Sequence, residues 1–276
     1  MARDNMGGAQ DDAALASPVV PADYYDDHYF RAVCAGSEEW SRSQGAAVAG
    51  LYPGSLRRAR LQPGEVVVDI GTGRGDLLAA AIDLGAERAI GVEYSEAGVA
   101  LARETLQAHG IEDRAEVLHA DARAIPLDDG VADLVTMLDV VEHLAQSELE
   151  LTLRQALRVL RPGRRVFVHT LPSRTLYDVT YRLQRLSRPG RWRTWPADPR
   201  NDWERRMHVN EQTVRSLRKT LRRVGFVDVD VAPGEWLHDE FVPSGRPRKL
   251  YRRLAAHPLT SRFGAADLWG EARRRA

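Results

Sequence analysis

From Glu65 onward the hydrophobic pattern of the chain switches repeatedly between two periods. "EVVVDI" is a continuous apolar run of strand length, and "DLLAAAIDLG" behind it carries a helical pattern closed by Gly85. "RAIGVE" predicts a second strand. Ser95 then caps a helix whose Val99, Ala102 and Leu106 share a face, and Gly110 stops it. "AEVLHA" and "VADLVTML" are the third and fourth strands. Ser147 and Glu150 have capping-box spacing at the head of "ELTLRQALRVL", where Leu153, Leu157 and Leu160 fall on one side. Pro162-Gly163 ends that helix, and "RRVFVHT" is the fifth strand. "NEQTVRSLRKTLRRVG" predicts another helix, capped by Asn210. "FVDVDV" is a sixth strand, and "GAADLWGEARR" has the length for a seventh. Strand and helix in alternation predict an α/β fold, a parallel sheet covered on both faces with ligands at the carboxyl ends of its strands.

Three parts of the chain stand outside that pattern. Residues 1–22 are rich in Gly, Ala and Asp, carry Pro18 and Pro21, and read as a flexible tail. Residues 23–60 hold "DYYDDHYFRAV" and "SEEWSRSQGAAVAGLY", expected to be short lid helices with aromatic faces. Residues 171–208 form an Arg- and Trp-rich insertion, too long for a plain connection, within a domain spanning 61–276. The 39 Lys+Arg balance 39 Asp+Glu, so no global field draws nucleic acid or an anionic membrane, and no nucleic-acid partner is expected. Cys34 is the single cysteine, which excludes an internal disulfide and a cysteine-rich metal site. No apolar run approaches the ~18 residues of a spanning helix, and the N-terminus lacks a signal pattern. The expectation is a cytoplasmic monomer or homodimer.

The chemistry concentrates in "VVVDIGTGRGD". A dinucleotide-binding turn reads G-x-G-x-x-G and sets a pyrophosphate on a helix N-terminus. Here the glycines are Gly71, Gly73 and Gly75, and Asp76 stands in place of the third dinucleotide glycine. At ~4 Å and an effective dielectric of about 20, each contact between Asp76 and a phosphate costs on the order of 4 kcal/mol. Asp69, just before the turn, adds to that repulsion. Both acids suit a ligand with cationic groups, and S-adenosylmethionine has an ammonium, a sulfonium and no phosphate. Glu93 ends the second strand about 20 residues downstream, where a carboxylate can accept both ribose hydroxyls, a feature shared with dinucleotide sites. Asp121 in "LHADA" is placed either to bond an adenine amine or to cap a turn.

With these residues in view, the chain resembles the class I S-adenosylmethionine-dependent methyltransferases of small-molecule type, and is similar to the ubiquinone-biosynthesis-like O-methyltransferases. The matching pieces are "VVVDIGTGRGD", "GVEYS", "LHADARAIPLDDGVADLVTMLDVVEHL" and "VLRPGRRVFVHT", over about Glu65 to Thr170, with "VGFVDVDV" beyond. The resemblance implies a Rossmann-like seven-stranded sheet whose last strand is antiparallel. It implies S-adenosyl-L-methionine as cofactor and S-adenosyl-L-homocysteine as product. Asp69, Gly71 and Gly73 would contact the methionine part, Glu93 the ribose, Asp121 with Ala122 the adenine, and Leu138 the other side. Thr72, Gly75 and Tyr94 belong to the same expected cofactor set.

Methyl transfer to a hydroxyl or amine needs alignment, exclusion of water and a base. In "MLDVVEHL", Asp139, Glu142 and His143 fall at i, i+3 and i+4 and can share a helix face. Asp139 can be an N-cap with Glu142 as its capping-box partner. His143 can be a general base, since an unperturbed pKa near ~6.5 suits proton removal at neutral pH. The segment also looks like the Glu-x-x-Glu-His metal segment of the ubiquinone-biosynthesis enzymes. Many metal-free methyltransferases carry a similar "VVEHL", so no metal is expected. His208 in "RRMHVNE" is a further catalytic or substrate-binding candidate, with packing as its alternative, and His169 reads as a hydrogen-bonded core residue. Tyr25, Tyr29 and Trp40, with Trp192 and Trp195 from the insertion, are expected to close an aromatic lid over a small acceptor. The expected activity is methylation of an oxygen or nitrogen in specialised-metabolite or glycan/lipid-precursor biosynthesis. Docking of RNA or protein on the basic "RLQRLSRPGRWRTW" is the alternative, and a non-catalytic cofactor-binding subunit is a second one.

Overall fold

The structure, a computed structural model, describes residues 15–182, 196–198, 200–234 and 267–276. Its strands are β1 (Val66–Ile70), β2 (Arg88–Glu93), β3 (Ala115–His119), β4 (Ala132–Leu138), β5 (Leu160–Thr170), β6 (Val227–Pro233) and β7 (Leu268–Arg273). They form one sheet in the order β3-β2-β1-β4-β5-β7-β6. The first five run parallel, and β7 lies antiparallel between β5 and β6. This is the Rossmann-like seven-stranded sheet with its last strand antiparallel. The chain lays strands outward on one side of β1 and then on the other, so a crevice opens where β1 and β4 end.

The "VVVDI" run is apolar without alternation because both faces of β1 are covered. Val68 and Ile70 pack with Val135, Met137, Leu149 and Leu153, while Val67 packs with Leu77, Leu78 and Leu134 on the opposite side. The helices are α1 (Ser37–Ser43), α2 (Leu51–Arg58), α3 (Asp76–Asp83), α4 (Glu96–His109), α5 (Gln146–Val159), α6 (Asp202–Met207) and α7 (Val214–Val224). Ser95 caps α4 as expected, accepting from the Gly98 N–H at 3.2 Å.

Three caps and boundaries differ from the sequence reading. α5 starts behind Ala145, and Glu148 rather than Glu150 takes the free Ala145 N–H, at 2.8 Å. Glu148 is drawn there because it is buried and also accepts from Arg123 and from the Val19 N–H. Leu160 opens β5 instead of closing the helix, pairing with Ala132. Thr213, with Ser216 as its partner, caps α7 in place of Asn210.

The N-terminal segment departs further. Residues 16–20 are tied to the domain rather than free. The Ala16 carbonyl accepts from Arg123 at 2.9 Å, the Val19 N–H donates to Glu148 at 2.9 Å, and the Tyr94 hydroxyl donates to the Val20 carbonyl at 2.6 Å. The segment lacks its own ladder, so these bonds satisfy backbone groups that docking would otherwise strand. Behind it come a 3-10 turn at Ala22–Tyr24, a π turn at Tyr29–Val33, and α1 and α2. Arg74 from the glycine turn fastens them, donating to the Phe30 carbonyl (2.6 Å), the Ala35 carbonyl (2.7 Å) and Asp76 (3.1 Å).

Arg165 fixes the opposite end of the sheet. It makes two 2.8 Å bonds to Glu65 and donates to the Ala59 and Arg60 carbonyls behind α2. Replacing one member strands the buried charge of the other. Arg165→Met should therefore lower unfolding free energy by about 3–5 kcal/mol in urea titration. A loss below about 1 kcal/mol would show that water already screens the pair.

Candidate active site

The site begins where β1 ends. Gly71, Gly73 and Gly75 all hold positive φ (72°, 54° and 77°). A side chain at Gly71 would also collide with Val140, whose Cγ2 lies 2.5 Å from an added Cβ. The turn is tied to the end of β2 by Glu93. Its Oε2 accepts from the Gly73 N–H, and its Oε1 from the N–H groups of Tyr94 and Ser95, each at 2.9 Å. A carboxylate has about four acceptor positions. Three are filled by backbone donors.

A cleft of about 760 Å³, its mouth included, runs over these strand ends. The strand order sets the sequence of groups along it. Asp121 and Ala122 follow β3, Glu93 and Tyr94 end β2, Gly71 and Gly73 follow β1, and Asp139 and His143 follow β4. Tyr25, Tyr29, Pro18 and Val20 line it from the N-terminal segment. Of the expected cofactor residues, Gly71, Gly73, Glu93, Tyr94, Asp121 and Ala122 line the cleft, whereas Asp69, Thr72, Gly75 and Leu138 do not.

The two acids that suggested a cationic ligand are turned inward. Asp69 pairs in register with Thr136 on β4 and accepts its hydroxyl at 2.6 Å, and burial pushes its carboxyl up to about 7. Asp76 is buried against Arg74, with its carboxyl pushed up to about 6 by the same desolvation. The acids that do line the cleft are Glu93, Asp121, Asp139 and Glu148, with Arg123 as the arginine among them. The excess of negative charge is therefore real but carried by other residues. Asp121 accepts from the Arg123 side chain (2.7 and 3.0 Å) and from its N–H (2.8 Å). Burial would raise the Asp121 carboxyl, but these bonds outweigh it and hold it below the ordinary carboxylate range.

At the β4 end, residues Val141–His143 form one 3-10 turn, so no helix face unites Asp139, Glu142 and His143. The capping-box reading of Asp139 and Glu142 fails with it, because Val140 is the cap and no side chain bonds there. Asp139 sits at φ 56°, its N–H donating to the His169 carbonyl and its Oδ1 2.6 Å from His169 Nδ1. His169 Nε2 lies 3.4 Å from Asp267, and the ring stacks on Trp269 at 4.1 Å. Burial alone would lower the His169 pKa. The two carboxylates reverse that and raise it to about 10, so His169 is an imidazolium at neutral pH.

Glu142 is turned into the core, where the Thr170 hydroxyl donates to it at 2.7 Å, and burial with Asp139 nearby pushes its carboxyl up. The side chain that joins Glu142 and His143 is His208, not Asp139: the potential ligand atoms of these three lie within 4.8 Å of one another. The His143 and His208 rings meet edge to face at 5.0 Å. Burial pushes His143 down to about 3, helped by His208, and His208 down to about 4. A ring that takes a proton only at such acidity is a weak base at neutral pH, so the argument from an unperturbed histidine does not carry over. His208 touches His143 without lining the cleft.

Trp40 is fully buried and donates to Thr105 at 2.7 Å, a packing role away from any acceptor. Trp192 and Trp195 lie outside the described residues. Sequence reasoning missed Arg74, Arg123, Glu148, Pro18 and Val20; beyond the near pairs Arg74–Asp76 and Arg123–Asp121, the partners that bring Arg74, Arg123, Glu148 and Val20 together are long-range.

The strand order, with its last strand antiparallel, makes the fold that of the Rossmann-like methyltransferases. Comparison with known proteins supports a class I S-adenosylmethionine-dependent methyltransferase. The family described as methyltransferase domain matches residues 67–163. The demethylmenaquinone methyltransferase of Thermus thermophilus is 34% identical over 121 residues, 42% of this chain and 53% of that one. The ubiquinone/menaquinone biosynthesis C-methyltransferase UbiE of Salmonella paratyphi B is 28% identical over 177 residues, 60% of this chain and 68% of that one. The match thus spans about half the length of the Thermus relative. Among solved structures, a chain of the complex between the Haloferax volcanii Trm112 methyltransferase activator and a methyltransferase superposes with TM-score 0.59 at 18% identity, covering 91% of this chain and 97% of that one. The (4+2) cyclase SpnF superposes with TM-score 0.56 at 19% identity, over 82% and 80%. At those identities the likeness concerns the fold.

Two outcomes follow from the site. Glu93→Ala should weaken S-adenosylhomocysteine binding about 10–100-fold in calorimetry, through the lost hydroxyl bond and a loosened turn; unchanged affinity would remove Glu93 from the cofactor site. Because the His169 pKa is raised on folding, its stabilising contribution is complete below the unfolded value near ~6.5 and fades as pH rises through about 10. His169→Gln should flatten the fall in thermal midpoint across that window, and an unaltered slope would place the titration elsewhere.

Proposed function

We propose that the chain transfers a methyl group from S-adenosyl-L-methionine to a nucleophilic atom of a small molecule. One observation carries this reading: Asp121, Glu93, Gly71 with Gly73, and Asp139 with His143 succeed one another along a single cleft in strand order. That order matches adenine, ribose, the amino-acid part and the reacting methyl. The residues suit the cofactor chemically, since four carboxylates line a cleft that must hold an ammonium and a sulfonium. Bound there, the cofactor supplies an activated methyl carbon. An acceptor lone pair held in line with that carbon would take the methyl, with S-adenosylhomocysteine as the leaving group and any acceptor proton passing to solvent.

The chain's contribution is alignment and dryness. Tyr25 and Tyr29 cover the reacting end, with the Tyr25 ring 5.7 Å from that of His143. Asp139 is engaged by His169, and His143, pushed down by burial, is a weak base. This favours an acceptor that is already nucleophilic, a phenolate-type oxygen or an unprotonated amine. A ring carbon is the second reading, favoured by relatives named demethylmenaquinone methyltransferase and ubiquinone/menaquinone biosynthesis C-methyltransferase. The action of a monomer or homodimer in the cytoplasm belongs to the same proposal. No helix among the described residues is long and apolar enough to cross a membrane.

Release of S-adenosylhomocysteine with a panel of phenols, amines and reduced quinones tests the reading. We expect turnover with a small acceptor, cut at least about tenfold in His143→Ala with cofactor affinity within about twofold. Turnover only with RNA or protein, or with no acceptor despite tight cofactor binding, would contradict it.

A further inference from the structure

We propose that Glu142, His143 and His208 form a binding site for a divalent first-row transition-metal ion, beside the methyl-transfer end of the cleft. The three side chains come from two separate segments, the turn after β4 and the stretch between α6 and α7. Their potential ligand atoms lie within 4.8 Å of one another. An ion at about 2.1 Å from each ligand holds them roughly 3–3.5 Å apart, so side-chain rotations closing up to about 1.5 Å complete the site.

Unsatisfied polar atoms point to a ligand at this place. His143 Nδ1, His208 Nδ1 and Asn210 Nδ2 are all buried with no hydrogen-bond partner among the described residues. Orphaned buried polar atoms are uncommon, and those of His143 and His208, whose rings are in contact, indicate a missing partner at this place. Two of them are imidazole nitrogens, which serve as ligands through their lone pairs.

The surroundings hold the ligands in place. The Thr170 hydroxyl donates to Glu142 Oε2 at 2.7 Å, leaving the other carboxylate oxygen for an ion. The Asn210 N–H donates to the Glu142 carbonyl at 3.0 Å and so fastens the His208 segment to the Glu142 turn. Such outer contacts orient metal ligands in known sites. Two imidazoles and one carboxylate suit zinc, manganese, iron, cobalt or nickel, and suit magnesium or calcium poorly. Because His143 lines the cleft, an open coordination position would face the acceptor. There an ion would hold an acceptor oxygen in its ionised form.

The inference extends beyond the proposed transfer reaction and is tested apart from it. The chelator-treated full chain is titrated with Co²⁺, followed by visible absorption, and with Zn²⁺ by calorimetry, while S-adenosylhomocysteine binding is measured on the same samples. We expect one equivalent bound more tightly than about 10 µM, weakened at least about 100-fold in His208→Ala and in Glu142→Gln. Asp139→Asn should retain the ion, since Asp139 is outside the ligand set. His208→Ala should retain S-adenosylhomocysteine affinity, which certifies its fold; if it does not, His208→Asn takes its place. Absence of Co²⁺ and Zn²⁺ binding, or binding indifferent to position 208, overturns the site and leaves the cofactor reading intact.

Discussion

Three backbone N–H groups, those of Gly73, Tyr94 and Ser95, converge on the carboxylate of Glu93, and the cleft depends on that convergence. The bonds join the turn after β1 to the chain leaving β2, so the two strand ends that frame the cleft share one anchor. Because Glu93 is nearly inaccessible to solvent, its oxygens are held at fixed positions and cannot drift toward water. Glycine at position 71 then allows Val140 to close in from β4. A small backbone arrangement thereby brings three strand ends to one line.

A second set of charges holds the cover on that line. Arg123 bonds Asp121 in the cleft, Glu148 at the head of α5, and the Ala16 carbonyl of the N-terminal segment. One guanidinium thus couples the expected adenine end to the segment that covers it. Arg74 does the same for the helices at 22–43, while facing away from the cleft. At the other end, Asp139 is held by His169, which is supported in turn by Asp267, just before the antiparallel strand, and by Trp269 within it. The strand that distinguishes this sheet from a purely parallel one therefore steadies a residue of the reacting end.

The strands and most helices could be read from sequence because the sheet is buried on both faces, which makes each strand an apolar run between turn residues. α2 falls inside 23–60, where short lid helices were expected, but its bounds were not read; it carries Pro53 in its first turn, where proline is tolerated. Gly71, Glu93 and Asp121, expected at strand ends, line the cleft because strand ends open onto it in this architecture. Side-chain direction was the part not written locally. Asp69 and Asp76 looked like ligand contacts, yet the register opposite Thr136 and the partner Arg74 draw them inward. Asp139, Glu142 and His143 looked like one helix face until the chain made a single tight turn. His208 could not be grouped with Glu142 and His143 because more than sixty residues separate the segments. A packed fold brings them together; spacing along the chain does not record it.

The central claim is that a cleft lined by carboxylates accepts a sulfonium nucleoside and rejects phosphate esters. Calorimetric titration of the full chain with S-adenosylmethionine and, separately, with nicotinamide and flavin dinucleotides tests it most directly. The account predicts saturable binding of S-adenosylmethionine at micromolar concentrations and no measurable heat with either dinucleotide. Tight uptake of a dinucleotide, with none of the sulfonium compound, would contradict it.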